Sequence, residues 1–177
     1  MSPIIRAGFA LSWAAALSGC FKSDAPLITV FDSVAPIPEG TYTYLGTDQK
    51  EEKAVITREL TVTKLITYNG DGNPVLQTLL MRAVGEGYYV VMDAQQDYSL
   101  IQIKDGAVLE YDESRYCDDL RDAAEEEGGS LSDYDAEANG ADESSICTFS
   151  SFDGLVRAFQ TLDNHGSLDV AREYHSS

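Results

Sequence analysis

Basic residues are scarce in this sequence: 12 lysines and arginines stand against 30 acidic residues, which gives a formal net charge of −18. Such a chain repels the phosphates of nucleic acids and the headgroups of anionic lipids. We therefore expect no nucleic-acid partner and no flat binding to an anionic membrane surface. The acidity is typical of a well-solvated surface, and loose binding of cations or basic partners is the alternative interpretation.

Histidine is also rare, and its two occurrences, His165 and His175, lie near the end of the sequence. Neither belongs to a nucleophile–base arrangement that a sequence can reveal. The chain contains no Gly-x-Ser-x-Gly, no phosphate-binding loop, no His-Glu-x-x-His and no Cys-x-x-Cys. The sequence therefore offers no candidate catalytic residue, and we expect no cofactor.

Metal-ligand spacing is incomplete as well. Asp135, Glu137 and Asn139, followed by Gly140, match the first half of an EF-hand loop. The twelfth position is Ile146 instead of the glutamate that would bind calcium through both oxygens. We expect no specific metal site, and we interpret residues 128–145 as an acidic loop.

Only three cysteines occur, and the first of them, Cys20, follows an apolar run over residues 7–17. This run is too short for a permanent membrane helix, which needs about 20 apolar residues. One cation, Arg6, precedes the run, and small residues follow it, which is the pattern of a secretory signal. The last four residues, Leu17-Ser18-Gly19-Cys20, resemble the lipobox of bacterial lipoproteins.

In lipoproteins the cysteine receives a lipid and the chain is cut just before it. The resemblance implies that residues 1–19 are a signal peptide and that Cys20 carries the lipid that attaches the protein to a membrane. It also implies a location in the cell envelope, facing the periplasm. Where outer-membrane sorting exists, an aspartate after the cysteine favours the inner membrane. Because Phe21 and Lys22 follow here, we expect the outer membrane.

The remaining two cysteines, Cys117 and Cys147, form an even pair. A lipoprotein matures in a compartment where disulfides form and persist. The pair is therefore predicted to be one disulfide.

The chain after the signal divides into a tether and one domain. Residues 20–40 contain three prolines and are predicted to be the tether, and residues 41–177 are predicted to be a single globular domain. Strand-like runs separated by turn signals occupy Thr41–Leu45, Ala54–Tyr68, Val75–Val84, Tyr88–Asp93, Tyr98–Lys104 and Ala107–Tyr111. Tight turns require antiparallel neighbours, so these runs predict a meander of about six strands.

Two helices are predicted after the strands. The first covers Tyr116–Glu127, and the second begins after Ser151 and ends at Asn164-His165-Gly166. The second carries an apolar stripe made of Phe152, Leu155, Val156, Phe159 and Leu162. Ser167–Tyr174 is expected to add a last helical turn.

These elements predict an α+β fold in which a C-terminal helix covers one face of the antiparallel sheet. The alternative is a small closed barrel of the lipocalin kind. Gly40-Thr41-Tyr42 resembles the Gly-x-Trp that opens lipocalin barrels, with tyrosine in place of tryptophan. The only tryptophan of the chain, Trp13, lies in the signal.

Tyrosines are abundant in the strands, and tyrosine suits a binding face because its ring is apolar and its hydroxyl polar. The candidate binding face consists of Tyr42, Tyr44, Tyr88, Tyr89 and Tyr98. The favoured function is a non-catalytic binding or structural module that holds an envelope protein or a small ligand. The alternative is an envelope hydrolase whose carboxylates come together only in the fold.

Overall fold

A computed structural model of the chain describes residues 21–46, 49–69, 71–112, 115–139 and 146–177. Cys20 and the predicted lipobox lie outside these residues. The strands are β1 (Phe21–Lys22), β2 (Gly40–Leu45), β3 (Glu51–Glu59), β4 (Val62–Tyr68), β5 (Pro74–Gly85), β6 (Tyr88–Met92), β7 (Asp97–Lys104), β8 (Ala107–Tyr111), β9 (Ala136–Asn139), β10 (Ile146–Phe149) and β11 (Val170–Ser176). The α-helices are α1 (Tyr116–Glu126) and α2 (Phe152–His165), and Leu131–Tyr134 is a 3-10 helix.

Eight of the strands form a closed antiparallel barrel. Strands β2 to β8 pair with one another in chain order, and β11 pairs with both β8 and β2. The remaining three strands extend the sheet beside β7, since β1 pairs with β7 and β10, and β10 pairs with β9. Closure leaves the eight barrel strands without a free edge, which removes the exposed backbone groups of an open sheet.

The predicted α+β sheet with a helical cover is therefore wrong, and the alternative of a small closed barrel fits the structure. The reason is β11. The sequence predicts a helical turn over Ser167–Tyr174, but Val170–Ser176 form the strand that joins the two edges of the meander. A meander with both edges joined encloses its apolar face by itself and needs no helix on that side.

Alternation along the strands decides which side chains point inward. The inward side chains occupy every second position, as in Ala54 and Ile56 of β3 or Leu79 and Met81 of β5. Successive residues of a strand point to opposite faces of a sheet, so a period of two places one set inside the barrel. The interior cluster contains Ile37, Tyr42, Tyr44, Ala54, Ile56, Leu79, Met81, Val91, Ile101, Val108 and Tyr174.

The turn between β7 and β8 shows how local sequence fixes the pairing of neighbouring strands. Asp105 and Gly106 have φ angles of 53° and 83°, which few residues other than glycine, asparagine and aspartate adopt. Lys104 and Ala107 face each other directly across this turn. The predicted strands Tyr98–Lys104 and Ala107–Tyr111 are thus joined by a tight turn, as expected of antiparallel neighbours.

Both helices pack outside the barrel. Leu155, Phe159 and Leu162 of α2 are buried in a second apolar cluster with Tyr98 and Leu100 of β7. Ser151 caps α2 by accepting a hydrogen bond from Gly154 N at 3.0 Å, and Gly166 ends it with φ 70°. The predicted helix boundaries and the burial of the stripe's centre are thus confirmed, although the helix covers the outer face of the sheet.

Residues 21–40, predicted to be a tether, pack against the barrel over much of their length. Phe21 and Ile28 are buried in the outer cluster, and Ile37 is buried in the interior cluster. Val34 bridges to Met81 of β5, and Ser33 Oγ donates to the carbonyl oxygen of Thr61 at 3.2 Å. This segment therefore lies against the end of the barrel that carries the β3–β4 turn, called here the β3–β4 end.

Part of the predicted acidic loop is ordered into regular structure. Tyr134 of the 3-10 helix is buried, and β9 pairs with β10 over four residue pairs. Residues 140–145 lie outside the described part. Neither helix of the described residues is long and apolar enough to span a membrane.

Candidate functional site: a cavity inside the barrel

The barrel encloses a cavity of about 330 Å³. Strand alternation supplies its walls, because every barrel strand directs apolar side chains inward. The aliphatic part of the lining consists of Ile37, Ile56, Leu65, Leu79, Met81, Val91, Ile101 and Val108. Most of these residues are buried, so the cavity has the apolar walls that suit a small ligand.

Polar residues of the lining concentrate at the end of the barrel that carries the β4–β5 turn. This end lies opposite to the β3–β4 end and is called here the β4–β5 end. Thr67 and Gln77 of the β4–β5 hairpin line the cavity there, together with Arg172 of β11 and Asp112, which follows β8. These four residues are half-buried or exposed. The cavity therefore grades from an apolar interior to a polar rim.

Glu110 is the central carboxylate of this polar region. Its Oε1 lies 3.0 Å from Arg172 Nη1, and its Oε2 accepts a hydrogen bond from the Tyr174 hydroxyl at 2.6 Å. The side chain of Glu110 is 13% exposed and that of Arg172 is 30% exposed. Since both oxygens of Glu110 have partners, the arrangement is that of a structural ion pair instead of a free general acid.

The charge of Glu110 shifts the pKa values of its two partners, Arg172 and Tyr174. Burial lowers the pKa of Arg172, but the charge of Glu110 more than compensates and raises that pKa above its ordinary value. Burial, followed by the charge of Glu110, raises the pKa of the Tyr174 hydroxyl. Arg172 is therefore a permanent cation and Tyr174 a neutral donor, which fixes the charge pattern of this wall.

A second tyrosine–carboxylate pair lies beside the first. The Tyr44 hydroxyl donates to Glu52 Oε2 at 2.6 Å, and the ring of Tyr44 lies 4.8 Å from the ring of Tyr174. Burial and this hydrogen bond raise the pKa of Tyr44. The two tyrosine rings bring the polar groups of β2, β3, β8 and β11 together where the barrel closes.

One polar side chain of the lining differs from the others. Thr63 of β4 is 1% exposed, and its Oγ1 makes no hydrogen bond to any described residue. It faces the cavity across from Leu79, with which it pairs on the neighbouring strand. Buried hydroxyls nearly always have a hydrogen-bond partner, so this unpaired oxygen is a candidate contact for a ligand in the cavity.

The structure divides the five tyrosines of the candidate binding face between two places. Tyr42, Tyr44 and Tyr89 belong to the interior cluster, whereas Tyr88 and Tyr98 belong to the outer cluster. Of the five, Tyr44 lines the cavity. The Tyr98 hydroxyl accepts a hydrogen bond from Leu27 N at 2.8 Å and lies 2.7 Å from Ser23 Oγ. Together these five side chains do not form one surface.

A disulfide joins Cys117 of α1 to Cys147 of β10, as predicted. Among the described residues, no group of three or more histidine, cysteine or acidic side chains is placed to hold a metal ion. A second hollow, of about 670 Å³, lies outside the barrel between β9, β10 and residues 24–27. Its lining includes the exposed residues Glu137 and Asn139, so its walls are more polar than those of the barrel cavity.

The residues that give the cavity its polarity are not apparent from the sequence. Glu110 stands within the predicted strand Ala107–Tyr111 with no sign of its partners, and the sequence favours a helical turn for Arg172 and Tyr174. Arg172 and Tyr174 are two residues apart, which places them on one face of a strand. That spacing, with valine at 170, is the signal that could have identified β11.

No protein-family model matches the chain, and neither a curated protein nor a solved structure shows significant similarity to it.

Proposed function

We propose that the protein is a non-catalytic module that binds a small, largely apolar molecule inside its barrel. The observation that carries the proposal is the aliphatic cavity of about 330 Å³ with polar groups at its β4–β5 end. Sites for small ligands are typically clefts or cavities of about 300–1,000 Å³ with apolar walls and a few polar groups. Barrels of eight strands are just wide enough to hold one such ligand.

We further propose that a lipid on Cys20 anchors this module to an envelope membrane, the outer membrane being favoured, with the barrel facing the periplasm. The lipobox-like Leu17-Ser18-Gly19-Cys20 supports the anchor. The disulfide between Cys117 and Cys147 supports an oxidising compartment. Phe21 and Lys22 after the cysteine support the outer membrane.

Titration with the neutral fluorescent probe N-phenylnaphthylamine tests the binding function. We expect saturable binding at one site and loss of about tenfold or more in affinity when Leu79→Trp fills the cavity. Leu76→Trp is the matched control, because Leu76 lies on the same strand but points outward and is 60% exposed. Thermal melts of both variants establish that they are folded. Absence of saturable binding to the wild type, or equal loss in both folded variants, would overturn the proposal.

Lipid labelling in cells tests the anchor. The full chain should incorporate labelled fatty acid, and Cys20→Ala should abolish the label and leave the precursor uncut. Ser18→Ala is the control and should be labelled normally, because it keeps the cysteine and a small residue beside it. Normal processing of Cys20→Ala would refute the anchor, and recovery of the mature protein in the inner membrane would refute the outer-membrane location.

A further inference from the structure

We infer that the cavity selects ligands whose buried end carries one neutral oxygen, and that Thr63 Oγ1 is the group that recognises it. The ligand class is an aliphatic molecule ending in an alcohol, an aldehyde or a ketone. This inference rests on the proposed function, because it assumes that the ligand occupies the barrel.

The first support is the position of Thr63. Its side chain is 1% exposed and lines the cavity. It is the second residue of β4, close to the β3–β4 turn, so it lies toward the end of the barrel opposite to Arg172 and Asp112. A ligand that reaches Thr63 has passed the polar rim and placed its body among the aliphatic side chains.

The second support is that Thr63 Oγ1 has no hydrogen-bond partner among the described residues. Other hydroxyls near the β3–β4 turn do have partners. Thr61 Oγ1 donates to the carbonyl oxygen of Val30 at 2.9 Å. Ser33 Oγ donates to the carbonyl oxygen of Thr61. An unpaired buried hydroxyl destabilises the empty site, and a ligand oxygen that pairs with it removes that cost.

The surroundings restrict the charge of that ligand oxygen. The neighbours of Thr63 in the lining are aliphatic, with Leu65 on its own strand and Leu79 on the paired strand. A carboxylate buried there would lose its hydration without gaining a buried cation. Arg58, which faces Thr63 on β3, is exposed and does not line the cavity. Arg172 lies toward the β4–β5 end and is paired with Glu110. A neutral oxygen loses far less hydration, and a threonine hydroxyl can either donate to it or accept from it.

Octanol and octane are the matched probes, and each is measured by displacement of N-phenylnaphthylamine. Thr63→Val keeps the shape of the side chain and removes the hydroxyl. We expect it to weaken octanol binding by about five- to tenfold, the equivalent of one ordinary hydrogen bond, and to leave octane binding unchanged. Thr63→Ser keeps the hydroxyl and should retain octanol binding.

Thr78→Val is the control variant, because Thr78 lies on the neighbouring strand β5 but is exposed and does not line the cavity. It should change neither affinity. If Thr63→Val changes octanol and octane binding equally, or changes neither, the recognition by Thr63 is overturned while probe binding leaves the proposed function intact. If the probe does not bind the wild-type protein, the proposed function fails and the inference with it.

Discussion

Replacing Phe159 by alanine is expected to lower the free energy of unfolding by about 3–5 kcal/mol, the usual cost of removing a buried aromatic side chain. Phe159 is 3% exposed, and its ring centroid lies 5.3 Å from that of Phe21 and 5.5 Å from that of Tyr116. These rings connect α2, β1 and α1 in the outer cluster. Because a domain has only about 5–15 kcal/mol of net stability, the variant should be strongly destabilised or unfolded.

Urea unfolding monitored by circular dichroism measures the effect. Phe31→Ala is the matched control, since Phe31 is 95% exposed and its replacement should change the unfolding free energy by no more than about 0.5 kcal/mol. A Phe159→Ala protein that unfolds together with the wild type would contradict the burial of this stripe. If that protein also lost a binding partner, α2 would be an interaction helix.

Reduction of the disulfide is expected to cost about 3–4 kcal/mol of stability. Cys117 and Cys147 are separated by 30 residues and are both fully buried. In the chain-entropy model, a bridge that closes a loop of about this length stabilises the fold by restricting the unfolded chain. The melting temperature should therefore fall when a reducing agent is added under conditions that open the bridge.

The double variant Cys117→Ala/Cys147→Ala is the control, because its melting temperature should be low and should not respond to the reductant. Thiol titration of exported, denatured, unreduced protein should detect no thiol from this pair. Two reactive thiols in such a sample would show that the bridge does not form in the cell.

Local signals in the sequence predicted the local structure well. Asp105-Gly106 has the backbone angles of a tight hairpin, and Ser151 and Gly166 cap α2. Each of these features depends on a few neighbouring residues, so their chemistry is visible in the sequence. The pairing of Cys117 with Cys147 could be predicted because only one pair remained once Cys20 was assigned to the lipid.

Closure of the barrel could not be predicted in the same way. It depends on β11, in which Arg172 and Tyr174 line the cavity while Glu173 and His175 are exposed. Such a strand shows little apolar alternation in the sequence, because its inward residues are polar. Their side chains form hydrogen bonds with Glu110. The partner that explains these residues lies on another strand, and the cavity exists only after both edges of the sheet have met.

The pairing of β11 with β2 is also expected to be a late step in folding. His175 faces Thr43, so nearly the whole described chain lies between the two strands that join last. Contacts between residues so distant in sequence are slow to form, because the entropy of closing a long loop is lost before the contact is made. Strands β2 to β8 can pair as a meander before β11 is in place, but the barrel closes only when β11 pairs with both β8 and β2. Until then the apolar inner face is open to other chains, so closure of the barrel competes with aggregation.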